Sequence, residues 1–125
     1  MHKQMLTMRL KKILEKYSRH PDFLGVSLAG VNQPGAIDDA VLHIASRKGE
    51  IEEVITLLSE GAEPNMPGDL GNTPLHYSAM TGNKEVVQVL LESGADKSIK
   101  NELQQTPYDV ALLGGHREIA SMLKV

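Results

Sequence analysis

At 125 residues and 13.6 kDa the chain suits one domain, and its 41% apolar and 23% charged residues exclude a disordered or fibrous protein. Thirteen basic and sixteen acidic residues give a formal charge of -3, which disfavours a generic grip on nucleic-acid backbones. The absence of cysteine removes disulfide scaffolds, cysteine-ligated zinc, iron–sulfur clusters and thiol catalysis, and fits a reducing compartment.

At the N-terminus, Arg9, Lys11 and Lys12 break the apolar stretch before it reaches the ~7–15 residues of a signal-peptide core. No run approaches the ~20 apolar residues of a bilayer span. The expectation is a cytoplasmic, unprocessed protein without membrane insertion. Leu6, Leu10, Ile13, Leu14 and Tyr17 recur at helical spacing and predict a cap helix over 4–17. Its surroundings are basic. Residues 1–20 hold Lys3, Arg9, Lys11, Lys12, Lys16 and Arg19 against Glu15, a balance of +5; the remainder holds seven basic and fifteen acidic residues, a balance of -8. A solvated helix face is the plain reading, and contact with an acidic partner or a membrane surface the sharper one. One Phe, three Tyr and no Trp leave no stacking platform for nucleic acid. A second helix is expected to start at Pro21 and carry Phe23, Leu24 and Leu28.

From residue 35 the chain repeats. Gly49, Gly82 and Gly115 stand 33 apart; Leu42-His43 returns as Leu75-His76, Leu57-Leu58 as Leu90-Leu91, and Gly61-Ala62 as Gly94-Ala95. Aligning 35–67 with 68–100 without a gap gives ten identities, and 101–125 continues the register. The units are therefore 1–34 (cap helix and leading half-repeat), 35–67, 68–100, and 101–125 as a closing repeat. Within 68–100, Thr73 is a natural N-cap and Pro74 a favoured first helical residue. That helix runs to about Met80 and stops at Gly82; a second runs from Lys84 to Ser93 with Val86, Val87, Leu90 and Leu91 inward. Neither reaches the ~12–15 residues that stand alone in water, so each needs its neighbours.

Thr73-Pro74-Leu75-His76, the central glycine, the V-x-x-L-L segment and Gly94-Ala95-Asp96 together resemble the ankyrin repeat, whose period is about 33 residues. The resemblance covers about 35–125. It implies an all-α solenoid of stacked helix–turn–helix units joined by β-hairpin-like loops. It also implies that His43 and His76 tie helix starts to loop backbone rather than hold a metal. Ala40-Val41 replaces T-P in the first repeat, and Tyr108-Asp109 replaces L-H in the last.

Carried over position by position, the resemblance places a partner-binding concave face at Ala36, Ile37, Asp39, Arg47 and Lys48; Asp69, Leu70, Asn72, Met80 and Thr81; and Glu102, Leu103, Gln105, Leu113 and Gly114. Ile37, Leu70 and Leu103 share one hairpin-tip position. They form either an apolar ladder rimmed by Asp39, Asp69, Asn72, Glu102 and Gln105, or side chains folded onto their own hairpins against Met66 or Ile99.

No G-x-S-x-G, Walker A or G-x-G-x-x-G pattern occurs, and no carboxylate pair is placed for acid–base work. No catalytic, cofactor-binding or metal residue is expected. The small stand-alone form resembles bacterial members of the family, some of which are immunity proteins that block a co-encoded toxin. The resemblance thus implies a binder that inhibits or regulates another protein, a toxin or effector among the candidates, as a monomer or weak oligomer. The alternative is an adaptor joining two proteins.

Overall fold

The computed structural model describes residues 2–21, 32, 34–35 and 39–125, the first six of these as backbone only. The predicted helix beginning at Pro21, and the positions of Ala36 and Ile37, lie outside the described residues. Among the described residues all regular structure is helical. It comprises α1 His2–Ser18, α2 Val41–Lys48, α3 Ile51–Ser59, α4 Pro74–Thr81, α5 Lys84–Glu92, α6 Pro107–Leu113 and α7 Arg117–Leu123, with a 3₁₀ turn at Asp69–Gly71.

Each pair packs internally, α2 on α3, α4 on α5 and α6 on α7. The first helices of successive pairs stack as α2, α4 and α6, while α3 packs on α5 and α1 on α3. The resulting core is continuous from Ile13 and Tyr17 of α1 through Leu42, Leu57, Leu75 and Leu90 to Leu123. Short helices survive here because each lends its apolar stripe to a neighbour on either side.

Local chemistry explains where each inner helix starts. Thr73 Oγ1 accepts from the His76 amide, and His76 Nδ1 accepts from the Thr73 amide at 3.0 Å. Asp109 takes the histidine's part in α6, where its Oδ2 accepts from the Thr106 amide at 3.0 Å and Thr106 Oγ1 accepts from the Asp109 amide at 3.3 Å. Ala40 has no hydroxyl, yet His43 Nδ1 still accepts from the Ala40 amide at 3.0 Å. Because Nδ1 accepts, Nε2 carries the proton and donates to a loop carbonyl: His43 to Met66 at 2.7 Å and His76 to Gln105 at 2.9 Å. The expected tie from helix start to loop backbone is thus present in both pairs.

Gly82 ends α4 at φ 81, in the left-handed region, and a Cβ there would lie 2.6 Å from the His116 ring. That ring sits where it does because His116 Nε2 donates to Met80 O at 3.2 Å, bridging two pairs. The 33-residue register also begins before α2. Asn32 Nδ2 donates to Gly61 O and its Oδ1 accepts from the Glu63 amide; Asn65 makes the same two bonds to Gly94 O and the Asp96 amide.

Candidate functional site

The loops before each inner helix are turned back by one equivalent backbone bond: Gly35 N to Asp39 O, Gly68 N to Asn72 O and Asn101 N to Gln105 O, each 2.9 Å. Adjacent tips are joined, since the Glu102 amide donates to Leu70 O at 2.9 Å. Leu70 itself occupies the left-handed region at φ 56 with Gly71 following at φ 72, and the Asn72 amide closes the turn on Asp69 O at 3.1 Å. Two successive positive φ values make a tight primed turn, whose first position glycine, asparagine or aspartate normally fills. Leucine there is strained.

Of the tip residues expected to face a partner, Leu70 is 51% exposed and Leu103 is 67% exposed. Glu102 is exposed, while Asp69 and Gln105 are half-buried. On the inner helices Met80, Leu113, Thr81 and Lys48 are exposed, and Arg47 is half-buried with its guanidinium 5.6 Å from the Tyr77 ring centroid. Leu112, which the sequence reading did not single out, is exposed as well. Among the described residues, the exposed apolar side chains expected on this surface, Leu70, Met80, Leu103 and Leu113, belong to the second and third helix pairs, while Leu112 occupies the position that is the buried Ala79 one pair earlier.

Two expected rim residues are instead interior. Asp39 is 0% exposed: its Oδ1 accepts from the Asp69 amide at 2.9 Å, and its two oxygens lie 3.0 and 2.9 Å from the Tyr77 hydroxyl. Asn72 is buried and its Oδ1 accepts from Asn101 Nδ2 at 2.9 Å. The hairpin turns the side chain preceding the helix N-cap toward the next repeat, where only a hydrogen-bonded polar group is tolerated. Both residues position the tips and neither presents itself to solvent.

Tyr77 and Asn101 were not identified from sequence. Asn101 Oδ1 accepts from the Leu103 and Gln105 amides at 3.0 Å each and so shapes the third tip. A signal for Tyr77 exists in the alignment: it stands opposite Ile44 and Val110, and Asp39 stands opposite the amides Asn72 and Gln105. A hydroxyl among aliphatics and a carboxylate among amides, on facing sides of one seam, mark a pair.

Burial pushes the Tyr77 hydroxyl pKa well above its usual value, with the Asp39 charge adding to the shift. Burial likewise lowers the His43 and His76 imidazoles, so both are held neutral. Among the described residues, no three of His, Cys, Asp and Glu converge as a metal site requires. No helix there is long and apolar enough to cross a membrane.

A family model for ankyrin repeats, in three copies, matches residues 31–124. A search of curated proteins returns no match.

Proposed function

Because the chain belongs to the ankyrin-repeat family, whose repeats are generally protein–protein interaction modules, we propose that it works without catalysis, by covering part of another protein. The surface assigned to that role is the hairpin tips of the second and third helix pairs with the C-terminal ends of α4 and α6. The single observation that supports it most is the exposure of Leu70 and Leu103 on neighbouring tips. Large apolar groups held in water beside Asp69 and Glu102 resemble the apolar centre and polar rim of an interface. Arg47 and Lys48 complete the face at the first pair. Asp39, Asn72 and Gln105 support it from below, through the hydrogen bonds described above.

The mode of action we infer is inhibition or regulation of the partner, and the acidic balance of residues 21–125 favours a basic target, such as a toxin neutralised by an immunity protein. The alternative is an adaptor, favoured by the separate basic surface on α1. Affinity capture with quantitative mass spectrometry separates these readings. One stoichiometric partner supports inhibition, and two partners that bind together support the adaptor. Leu70→Ser combined with Leu103→Ser is expected to weaken capture about tenfold or more while melting changes little. A large loss of stability with capture intact would assign the leucines to the fold instead.

A further inference from the structure

Arg9, Lys12 and Lys16 follow one another along α1 at spacings of three and four, which places them on a single stripe, and Arg19 follows in the turn just after the helix. The adjacent stripe carries Ile13 and Tyr17, both buried in the shared core. Like charges at these spacings oppose helix formation, and the fold relieves only part of the repulsion. Lys16 pairs with Glu53, a bond that raises its ammonium pKa. Arg9, Lys11, Lys12 and Arg19 make no ion pair among the described residues, although Arg9 and Lys12 border a groove of about 380 Å³ with Glu52 and Glu53. All five basic side chains are exposed. The surface continues onto α2, where the Lys48 ammonium lies 5.5 Å from the Tyr17 ring, on which Lys16 also sits at 5.3 Å.

We propose that this face of α1 is a docking surface for an acidic segment of a partner protein. Charge complementarity selects the occupant. A bilayer would require the apolar stripe of α1, which is already committed to the core. Nucleic acid would meet a chain that is otherwise strongly acidic and offers no aromatic platform. An acidic peptide needs only the row of cations. Ten residues of helix extend about 15 Å, which an extended segment of about five residues matches. The assignment is independent of whether the hairpin tips bind.

The test uses the full chain and a fluorescein-labelled octaglutamate peptide, read by anisotropy. The expected result is binding at low salt that weakens at about 0.15 M salt. Replacing Arg9, Lys11, Lys12 and Arg19 together by Gln should weaken it about tenfold, while replacing Lys97, Lys100 and Lys124 by Gln changes it by less than about twofold. If the fourfold variant loses helix content, Arg19→Gln alone, outside both α1 and the groove facing α3, should still weaken binding about threefold. The proposal fails if the wild-type chain does not bind at low salt, or if both sets of substitutions weaken binding equally. It also fails if phosphatidylserine vesicles or duplex DNA bind more tightly than the peptide. Salt-sensitive self-association, abolished by the α1 substitutions while the peptide does not bind, would replace the partner with a second copy of the chain.

Discussion

The hydroxyl of Tyr77 lies within 3.0 Å of both carboxylate oxygens of Asp39, across the seam between the first and second helix pairs. With the Asp69 amide it provides the hydrogen bonds that keep a buried carboxylate tolerable, and the Asp69 bond fixes the tip that carries Leu70. Tyr77→Phe removes one donor and leaves the charge in place. Leaving a buried charged acceptor short of a partner costs about 1–3 kcal/mol or somewhat more. Urea unfolding is expected to show a loss of that size. A double-mutant cycle with Asp39→Asn should give a coupling well above experimental error, and additivity would mean the two residues act independently.

Acid and alkali should each unfold the chain for a different reason. Burial lowers the His43 imidazole more than nearby Asp39 and the loop carbonyl raise it, and burial also lowers His76. The folded state therefore binds fewer protons than the unfolded one just below the ordinary histidine value of 6.5, and stability falls as pH drops through that range. Tyr17 and Tyr77 are shifted upward, by burial first and by Glu53 and Asp39 second. Above 10.0 the unfolded state releases tyrosine protons that the fold retains, so stability falls again as pH rises. The urea midpoint followed from pH 5 to pH 11 should form a plateau between these two limits. A midpoint that increases on acidification from pH 7 to pH 5 would contradict the neutral, buried imidazoles.

Strain at the second hairpin tip gives a prediction of the opposite sign. Leu70 stands at φ 56 with its side chain in water, so little packing compensates the conformation. Leu70→Asn or Leu70→Gly should stabilise the chain by about 0.5–1 kcal/mol. Thermal melting measures the change. The same variants should bind the partner less well, and a gain in stability without loss of binding would remove Leu70 from the interface.

Two glycines separate backbone strain from steric collision. Gly82 and Gly115 share nearly the same φ, 81 and 76, but a Cβ meets the His116 ring at Gly82 and nothing within 4 Å at Gly115. Gly115→Ala should cost about 1 kcal/mol from conformation alone. Gly82→Ala should cost about 1–3 kcal/mol more, because the ring must move from Met80 O. Chemical denaturation of the two variants side by side checks the difference, and equal losses would show that the His116 contact yields freely.

The attachment of α1 should depend on burial rather than on its ion pair. Tyr17 is almost fully buried, whereas Lys16 is exposed in its pair with Glu53. Tyr17→Ala should destabilise by about 3–5 kcal/mol and Lys16→Ala by about 1 kcal/mol or less. The same urea titration decides; a larger effect at Lys16 would reverse the assignment.

The repeat could be read from the sequence because its punctuation is local. Thr73-Pro74, Gly82 and Gly94 act within their own turns, and 33-residue spacing exposes them without any tertiary knowledge. The helix over 4–17 was equally visible, and the structure places it over His2–Ser18. What the pattern could not reveal was direction. Asp39 and Asn72 occupy positions that face a partner in the resembled family, but here Tyr77 and Asn101 supply hydrogen-bonding groups across the seam, and the side chains turn inward. The exposure of Leu112 was hidden too, since its counterpart one period earlier is the buried Ala79. Both errors have one origin: a linear register specifies which residues are equivalent, whereas burial depends on what the neighbouring copy offers.

The asparagine bonds run in one sense along the array. Asn32 grips the loop after α3 and Asn65 the loop after α5, while at the next such position Ser98 binds only Asp96 in its own loop. A lesion at Asn65 would therefore loosen not the loop that contains it but the one a full unit downstream. Damage in this molecule is displaced from its cause, and a probe placed beside the altered residue would miss it.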